Sequence, residues 1–219
     1  MKPVTVIRWL ATGGGVLMLL QALWIPAKAE LAQHLIANAY AAGLSDGRPH
    51  PPWPWADTWP VARLSVPRLA RESYVLADAS GRTLAFGPGL IGGPPAAGAG
   101  LSVAGHRDTH FAFLGELRAG DEMIWEDRFG TRRFRLQRRQ IADVRQHQLA
   151  TPGSGELQLS TCWPLTDWQP GGPLRLVWTA VESDEAALGG SATSSRVTVG
   201  VRLQNAQEMD SVIRRGAHT

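Results

Sequence analysis

Between residues 60 and 180 the chain alternates short runs of apolar and β-branched residues with Gly and Pro, a pattern that long helices cannot adopt. Seven such runs stand out, at 62–66, 74–77, 101–106, 123–126, 132–141, 156–161 and 174–179. Strands this short point to an antiparallel barrel or sandwich rather than a parallel α/β sheet. One short helix is expected at 109–117. At 219 residues the chain has room for one ordinary domain of roughly 130 to 150 residues with an anchor and tails. An apolar share of 44% against a charged share of 19% gives that domain enough material for a core.

Ahead of the strands, residues 9–27 carry no charge and include Val16, Leu17, Met18, Leu19 and Leu20. As a helix these nineteen residues span about 28 Å, close to the thickness of the hydrocarbon layer of a bilayer. Trp9 and Trp24 stand near its ends, where indoles favour the membrane interface, and Lys2 and Arg8 precede it with no acidic residue before Glu30. This predicts a single-pass anchor with the remainder of the chain on the extracytoplasmic side. A cleaved signal peptide is the rival reading, because Ala27-Lys28-Ala29 has the small-x-small form of a cleavage site. The long apolar run, and Leu31, Leu35 and Ile36 continuing at helical spacing, favour the anchor.

From residue 41 the composition shifts to Gly, Pro and Trp, ending in Pro51-Pro52-Trp53-Pro54-Trp55, which reads as an extended stalk whose Trp53, Trp55 and Trp59 clamp the domain base. The expected organisation is thus an anchor helix and its extension at 1–40, a stalk at 41–60, a catalytic domain at 61–182 and a tail at 183–219. Within the tail, 197–203 offers one possible strand.

The formal charge is only +3, which argues against a nucleic-acid partner. Six arginines (Arg132, Arg133, Arg135, Arg138, Arg139 and Arg145) crowd one stretch. Phe134, Leu136 and Ile141 between them read as the buried side of a strand, with the arginines on its solvated face.

Cys162 is the only cysteine, so no intrachain disulfide can form and a thiolate-based structural zinc site is excluded. A lone thiol in an exported protein is exposed to oxidation unless it is buried or used. Cys162 is therefore a small buried hydrophobe, a thiol linked to a partner or a nucleophile, and a histidine elsewhere in the chain suits the last role. His106 directly follows a predicted strand, as Cys162 does, and Arg175 lies within another. His106 and His110 share the spacing of a helical zinc pair, but the adjacent glutamate of a metalloprotease is missing and Arg107 would repel a cation. No metal or cofactor is expected.

The motifs around these three residues resemble those of sortases. Leu159-Ser160-Thr161-Cys162 is similar to the family's Thr-Leu-x-Thr-Cys strand end, with Gln158 where Thr is usual. Ala104-Gly105-His106-Arg107-Asp108 resembles its histidine motif. Phe111, Phe113, Leu114 and Leu117 followed by Gly120-Asp121 resemble the segment after it, and Arg175 corresponds to the family arginine. The anchor and the sequence from Trp55 to Pro60 look more like the proteobacterial sortases, class GN, than the Gram-positive housekeeping ones.

The resemblance implies a mainly β fold, a closed eight-stranded barrel with short helices behind an N-terminal transmembrane helix. It also implies a cysteine transpeptidase that cleaves a C-terminal Leu-Pro-x-Thr-Gly-like motif and passes the product to an amine acceptor. Cys162 would be the nucleophile, His106 the acid/base and Arg175 the oxyanion-side cation. Thr161, Asp108, Trp163 and Trp168 would line the substrate site, with Asp108 alternatively capping the 109–117 helix. The partners implied are a protein substrate with a sorting signal and the membrane, and the location implied is the periplasmic face of an inner membrane. A thiol hydrolase on the same scaffold and a non-catalytic binding module are the other readings.

Overall fold

The computed structural model describes residues 3–94, 96–146, 149–166 and 172–183. Trp168 and the possible strand at 197–203 lie outside them. A long helix, α1 (Pro3–Asp46), precedes eight strands: β1 (Pro60–Val66), β2 (Arg71–Leu76), β3 (Gly89–Leu90), β4 (Leu101–Ala104), β5 (Glu122–Asp127), β6 (Gly130–Asp143), β7 (Glu156–Cys162) and β8 (Leu174–Glu182). They close into a barrel in the order β1-β2-β3-β4-β7-β8-β6-β5, and β5 pairs back onto β1. The pairing is antiparallel except at two places, where β2 meets β3 through a single pair and β4 runs parallel to β7. Closure leaves the sheet with no free edge.

The interior is filled by the inward-facing residues of each strand. Leu64, Val75, Leu101, Val103, Met123, Trp125, Phe134, Leu136, Leu157, Leu159, Leu176 and Trp178 form one cluster. Phe134 and Leu136 join it as expected, whereas Ile141 remains 44% exposed. A register shift between Leu136 and Arg138 switches the alternation of β6 and sets Ile141 opposite the buried Leu176, on the inward side of the strand, yet its side chain stays largely exposed. The arginines of this strand are dispersed: Arg132 pairs with Glu182, Arg133 with Glu122 and Arg145 with Asp143.

Where a helix was expected at 109–117, the chain makes turns and then a 3-10 turn at Ala112–Gly115. Phe111, Phe113, Leu114 and Leu117 are all buried. All four belong to the core cluster of the barrel. The Trp178 indole donates to the Leu114 carbonyl at 3.0 Å and ties that segment to β8.

Helix α1 continues through Asp46, into the Gly- and Trp-containing stretch. Its last third docks on β1 and β2: Ile36 is buried, Gln33 donates to the Phe86 carbonyl at 2.8 Å and Tyr40 donates to the Glu126 carbonyl at 2.8 Å. Burial, reinforced by Glu126, pushes the Tyr40 hydroxyl up to about 12. Trp53 packs edge-on against Phe86, while Trp55 is 81% exposed and clamps nothing. Among the described residues no helix is long and apolar enough to cross a membrane.

Candidate active site

Thr161 and the residues around it bring two distant motifs together. Strands β4 and β7 pair in parallel, Ala104 beside Ser160, and the Gly105 amide extends the ladder by donating to the Ser160 carbonyl at 3.1 Å. There β4 ends, because the Thr161 hydroxyl, at 2.7 Å, takes the Gly105 carbonyl that another strand amide would have bonded. His106 follows two residues after the last paired residue of β4, and Cys162 two residues after its partner on β7. On the other flank of β7, antiparallel β8 places Arg175 opposite Cys162. Neighbouring strands lie about 4.8 Å apart, so thiol and guanidinium spring from adjacent backbones, with the turn that carries His106 leaving β4 on the other flank of β7.

The alternation of β7 decides which way Cys162 faces. Leu157 and Leu159 enter the core, so Gln158, Ser160 and Cys162 face outward. On this outer wall Ser102, Gln158, Thr179 and Arg138 form one row across β4, β7, β8 and β6, and Ala104, Ser160, Val177 and Gln140 form the next. The third is Cys162, Arg175 and Ala142. In the middle row Ser160 and Val177 are buried. The Gln158 side-chain oxygen is also buried and has no hydrogen-bond partner among the described residues.

Cys162 is half-buried, His106 is exposed and Arg175 is half-buried. The Arg175 Nη1 donates to the Gly172 carbonyl at 2.6 Å and to the Leu174 carbonyl at 2.9 Å, so the guanidinium is turned onto the start of its own strand. Beyond Cys162, the Trp163 amide donates to the Leu174 carbonyl at 3.0 Å, and Arg139 lies 5.2 Å over the Trp163 ring. Trp163 packs partly against the core.

The histidine turn depends on Gly105. A Cβ at this position would sit 2.6 Å from Phe111 Cγ, so only glycine lets the buried ring close under the turn that carries His106. Asp108 neither caps the 3-10 turn, whose cap carries no side-chain bond, nor touches His106 in a hydrogen bond; its carboxylate bonds Arg107. That guanidinium holds the Asp108 carboxyl below the usual carboxylate range. His110 is held below its ordinary value chiefly by burial. Among the described residues no three His, Cys, Asp or Glu side chains gather as metal ligands would.

Arg107 is the residue that the sequence did not single out for the site. It is buried, with its side chain 5% exposed, and its Nη1 donates to the Pro164 carbonyl at 2.9 Å. The adjacent opposite charges of Arg107 and Asp108 hinted at a local pair, but nothing in the sequence marks a partner 57 residues away.

The arrangement can support acyl transfer: a thiol at a strand end, an imidazole on one side to move its proton, and a permanent cation on the other to meet developing negative charge. A family model described as the sortase domain matches residues 64–183. Among curated proteins no sequence match is found. Among solved structures, the chain is similar to sortase A from Corynebacterium diphtheriae, with 19% identity and a TM-score of 0.51, over 59% of this chain and 63% of that one. It is likewise similar to sortase C1 from Streptococcus suis, with 19% identity and a TM-score of 0.50, over 60% and 76%. The lid mutant of the Corynebacterium diphtheriae enzyme gives 17% identity and a TM-score of 0.51, over 73% and 95%. At such identities the likeness is one of fold.

Proposed function

Because the chain belongs to the sortase family, a family of cysteine transpeptidases, we propose that it cleaves a C-terminal sorting motif of the Leu-Pro-x-Thr-Gly kind and transfers the product to an amine. The observation that carries this reading is the pairing of Cys162 with Arg175 across β7 and β8, on a strand whose parallel neighbour β4 ends two residues before His106. The peptide lies on the outer wall of β4, β7 and β8, over Ala104, Ser160 and Val177.

Cys162 Sγ, as thiolate, attacks the Thr carbonyl carbon, and Arg175 stabilises the oxygen as charge gathers on it. For this the guanidinium exchanges its bond to the Gly172 carbonyl for one to the substrate. The C–N bond breaks, His106 protonates the leaving amine, and a thioester remains on Cys162. In the second half the incoming amine attacks the thioester, gives its proton to His106 and releases the Cys162 thiolate. Thr161 holds the histidine turn through Gly105, Trp163 walls the groove beyond the nucleophile, and a donor on the peptide fills the orphan acceptor of Gln158. Trp168 and Asp108 are assigned to the rim of the same groove.

The uncharged segment at 9–27 is proposed to anchor the enzyme in the inner membrane, with the barrel on the periplasmic side as in the proteobacterial class. The docked end of α1 then holds the barrel close to the bilayer, where a C-terminal sorting motif next to its own membrane segment would emerge.

The reading is tested by incubating the full-length protein in detergent with fluorogenic peptides of the Leu-Pro-x-Thr-Gly kind, varied at each position, with and without a glycine oligomer or a primary diamine. The expected product is the amide of the added amine, formed at the expense of free acid. Free acid alone at every amine concentration would make the enzyme a hydrolase, and no cleavage by a protein whose Cys162 is intact would favour a binding module.

A further inference from the structure

We infer that Arg107 is a positioning residue that sets the separation of the His106 imidazole and the Cys162 thiol. The inference rests on the catalytic reading of those two side chains given above, and it adds a device that keeps them together.

His106 and Cys162 both lie at the point where regular pairing ends. The last β4·β7 pair is Ala104 with Ser160, and the last bonds between the two strands are the Gly105 amide to Ser160 and the Thr161 hydroxyl to Gly105. All of these are upstream of the two reactive residues. On the downstream side a side chain joins the two turns: Arg107, next to His106, donates through Nη1 to the carbonyl of Pro164, two residues past Cys162. Each reactive side chain is thus enclosed between a backbone tie on one side and the Arg107 bridge on the other. Leu165 and Trp163 pack against the core on either side of Pro164, so the carbonyl that receives the bond belongs to a docked segment.

The guanidinium is itself held. Nε donates to Asp108 Oδ1 at 2.7 Å and Nη2 to Oδ2 at 3.2 Å, a forked pair that fixes the plane of the group, while Nη1 remains aimed at Pro164. Asp108 is 70% exposed and closes the solvent side of an arginine that is otherwise buried. A buried cation with a carboxylate on one edge and a carbonyl on the other needs three nitrogens in a fixed plane. Lysine offers a single nitrogen and cannot span both partners. Misplacement of about 1 Å at a reacting pair can cost roughly 100-fold in rate, so the bond is long-range in sequence but local in effect.

The lone cysteine provides a test that needs no knowledge of the substrate. Alkylation of Cys162 by phenyl vinyl sulfone is followed by intact mass across pH 5 to 10 in the full-length protein in detergent, for the parent, His106→Ala, Arg107→Ala, Arg107→Lys and Asp108→Asn. We expect His106→Ala to change the pH profile and Arg107→Ala to move it in the same direction with roughly a 10- to 100-fold loss in rate per folded molecule. Arg107→Lys should rescue less than half of that loss on a logarithmic scale, and Asp108→Asn, which removes one acceptor of the fork, should shift the profile in the same direction by less than Arg107→Ala. Should Arg107→Ala fail to fold, Arg107→Lys decides by the same comparison. A parental profile in the folded arginine variants, with His106→Ala altered, overturns the inference while leaving the catalytic pair intact. A parental profile in His106→Ala removes the pairing itself, and the inference falls with it.

Discussion

Gly105 shows how a single missing methyl group supports a reactive side chain. Its hydrogen sits over the Phe111 ring, its amide and carbonyl both bond β7, and the next residue is His106. A Cβ here has to displace a fully buried aromatic ring or lift the turn, and forcing a methyl group into such a space costs about 1–3 kcal/mol. We therefore expect Gly105→Ala to lower the melting temperature by roughly 4–10 °C and to slow acylation of Cys162 as well. Differential scanning fluorimetry reads the first effect, and a melting temperature within about 1 °C of the parent would contradict the packing described. Arg107 belongs to the same scale. A buried arginine is not legible from sequence, because what makes burial tolerable is a carbonyl supplied by the tertiary fold.

At the scale of elements, legibility followed the length and two-sidedness of each run. Strand β7 was readable because its apolar residues end in a reactive one, whereas β3 has only two residues and no alternation to detect. Residues 109–117 carried apolar spacing that a helix could satisfy, but burial of Phe111, Phe113, Leu114 and Leu117 together in the core cluster favours the tighter turn. Just beyond, Asp121 joins the turn before β5 to the loop after β1, accepting from Arg68 Nε at 2.6 Å, from Arg68 Nη2 at 2.7 Å and from the Arg118 amide at 2.8 Å. Arg68 holds the Asp121 carboxyl below its ordinary value. A carboxyl whose pKa is depressed by folding contributes stability above its unfolded value, near pH 4, and loses it as the pH falls through the folded value. Thermal melts between pH 7 and pH 2 should show this loss, and Asp121→Asn should be less stable by roughly 2–4 °C at pH 7 with a shallower acid slope. An unchanged slope would contradict the assignment.

For the molecule as a whole, a barrel or sandwich of short strands was within reach of the sequence and closure with eight strands came from the resemblance, but the proposed meeting of His106 and Cys162 was not derivable from it. That meeting depends on the parallel pairing of β4 with β7 across a crossover that contains β5 and β6, a non-local choice that no window of sequence records. The family resemblance supplied it. The proposed anchor is tested by separating bacterial membranes that hold the full chain and washing them with alkaline carbonate. The account expects the chain to stay in the pellet, and release into the supernatant would contradict insertion of residues 9–27.

The convergence of three side chains on one carbonyl is most directly tested by trapping the acyl enzyme. After incubation of the full-length protein with a cleaved sorting peptide, intact mass spectrometry and fragmentation should find the N-terminal part of the peptide, through its Thr, as a hydroxylamine-sensitive ester on Cys162. The adduct should vanish in Cys162→Ala and form at least about 100-fold more slowly in His106→Ala and Arg175→Ala. Cleavage that persists in Cys162→Ala, or an adduct that forms at the parental rate without His106 and Arg175, would contradict the account.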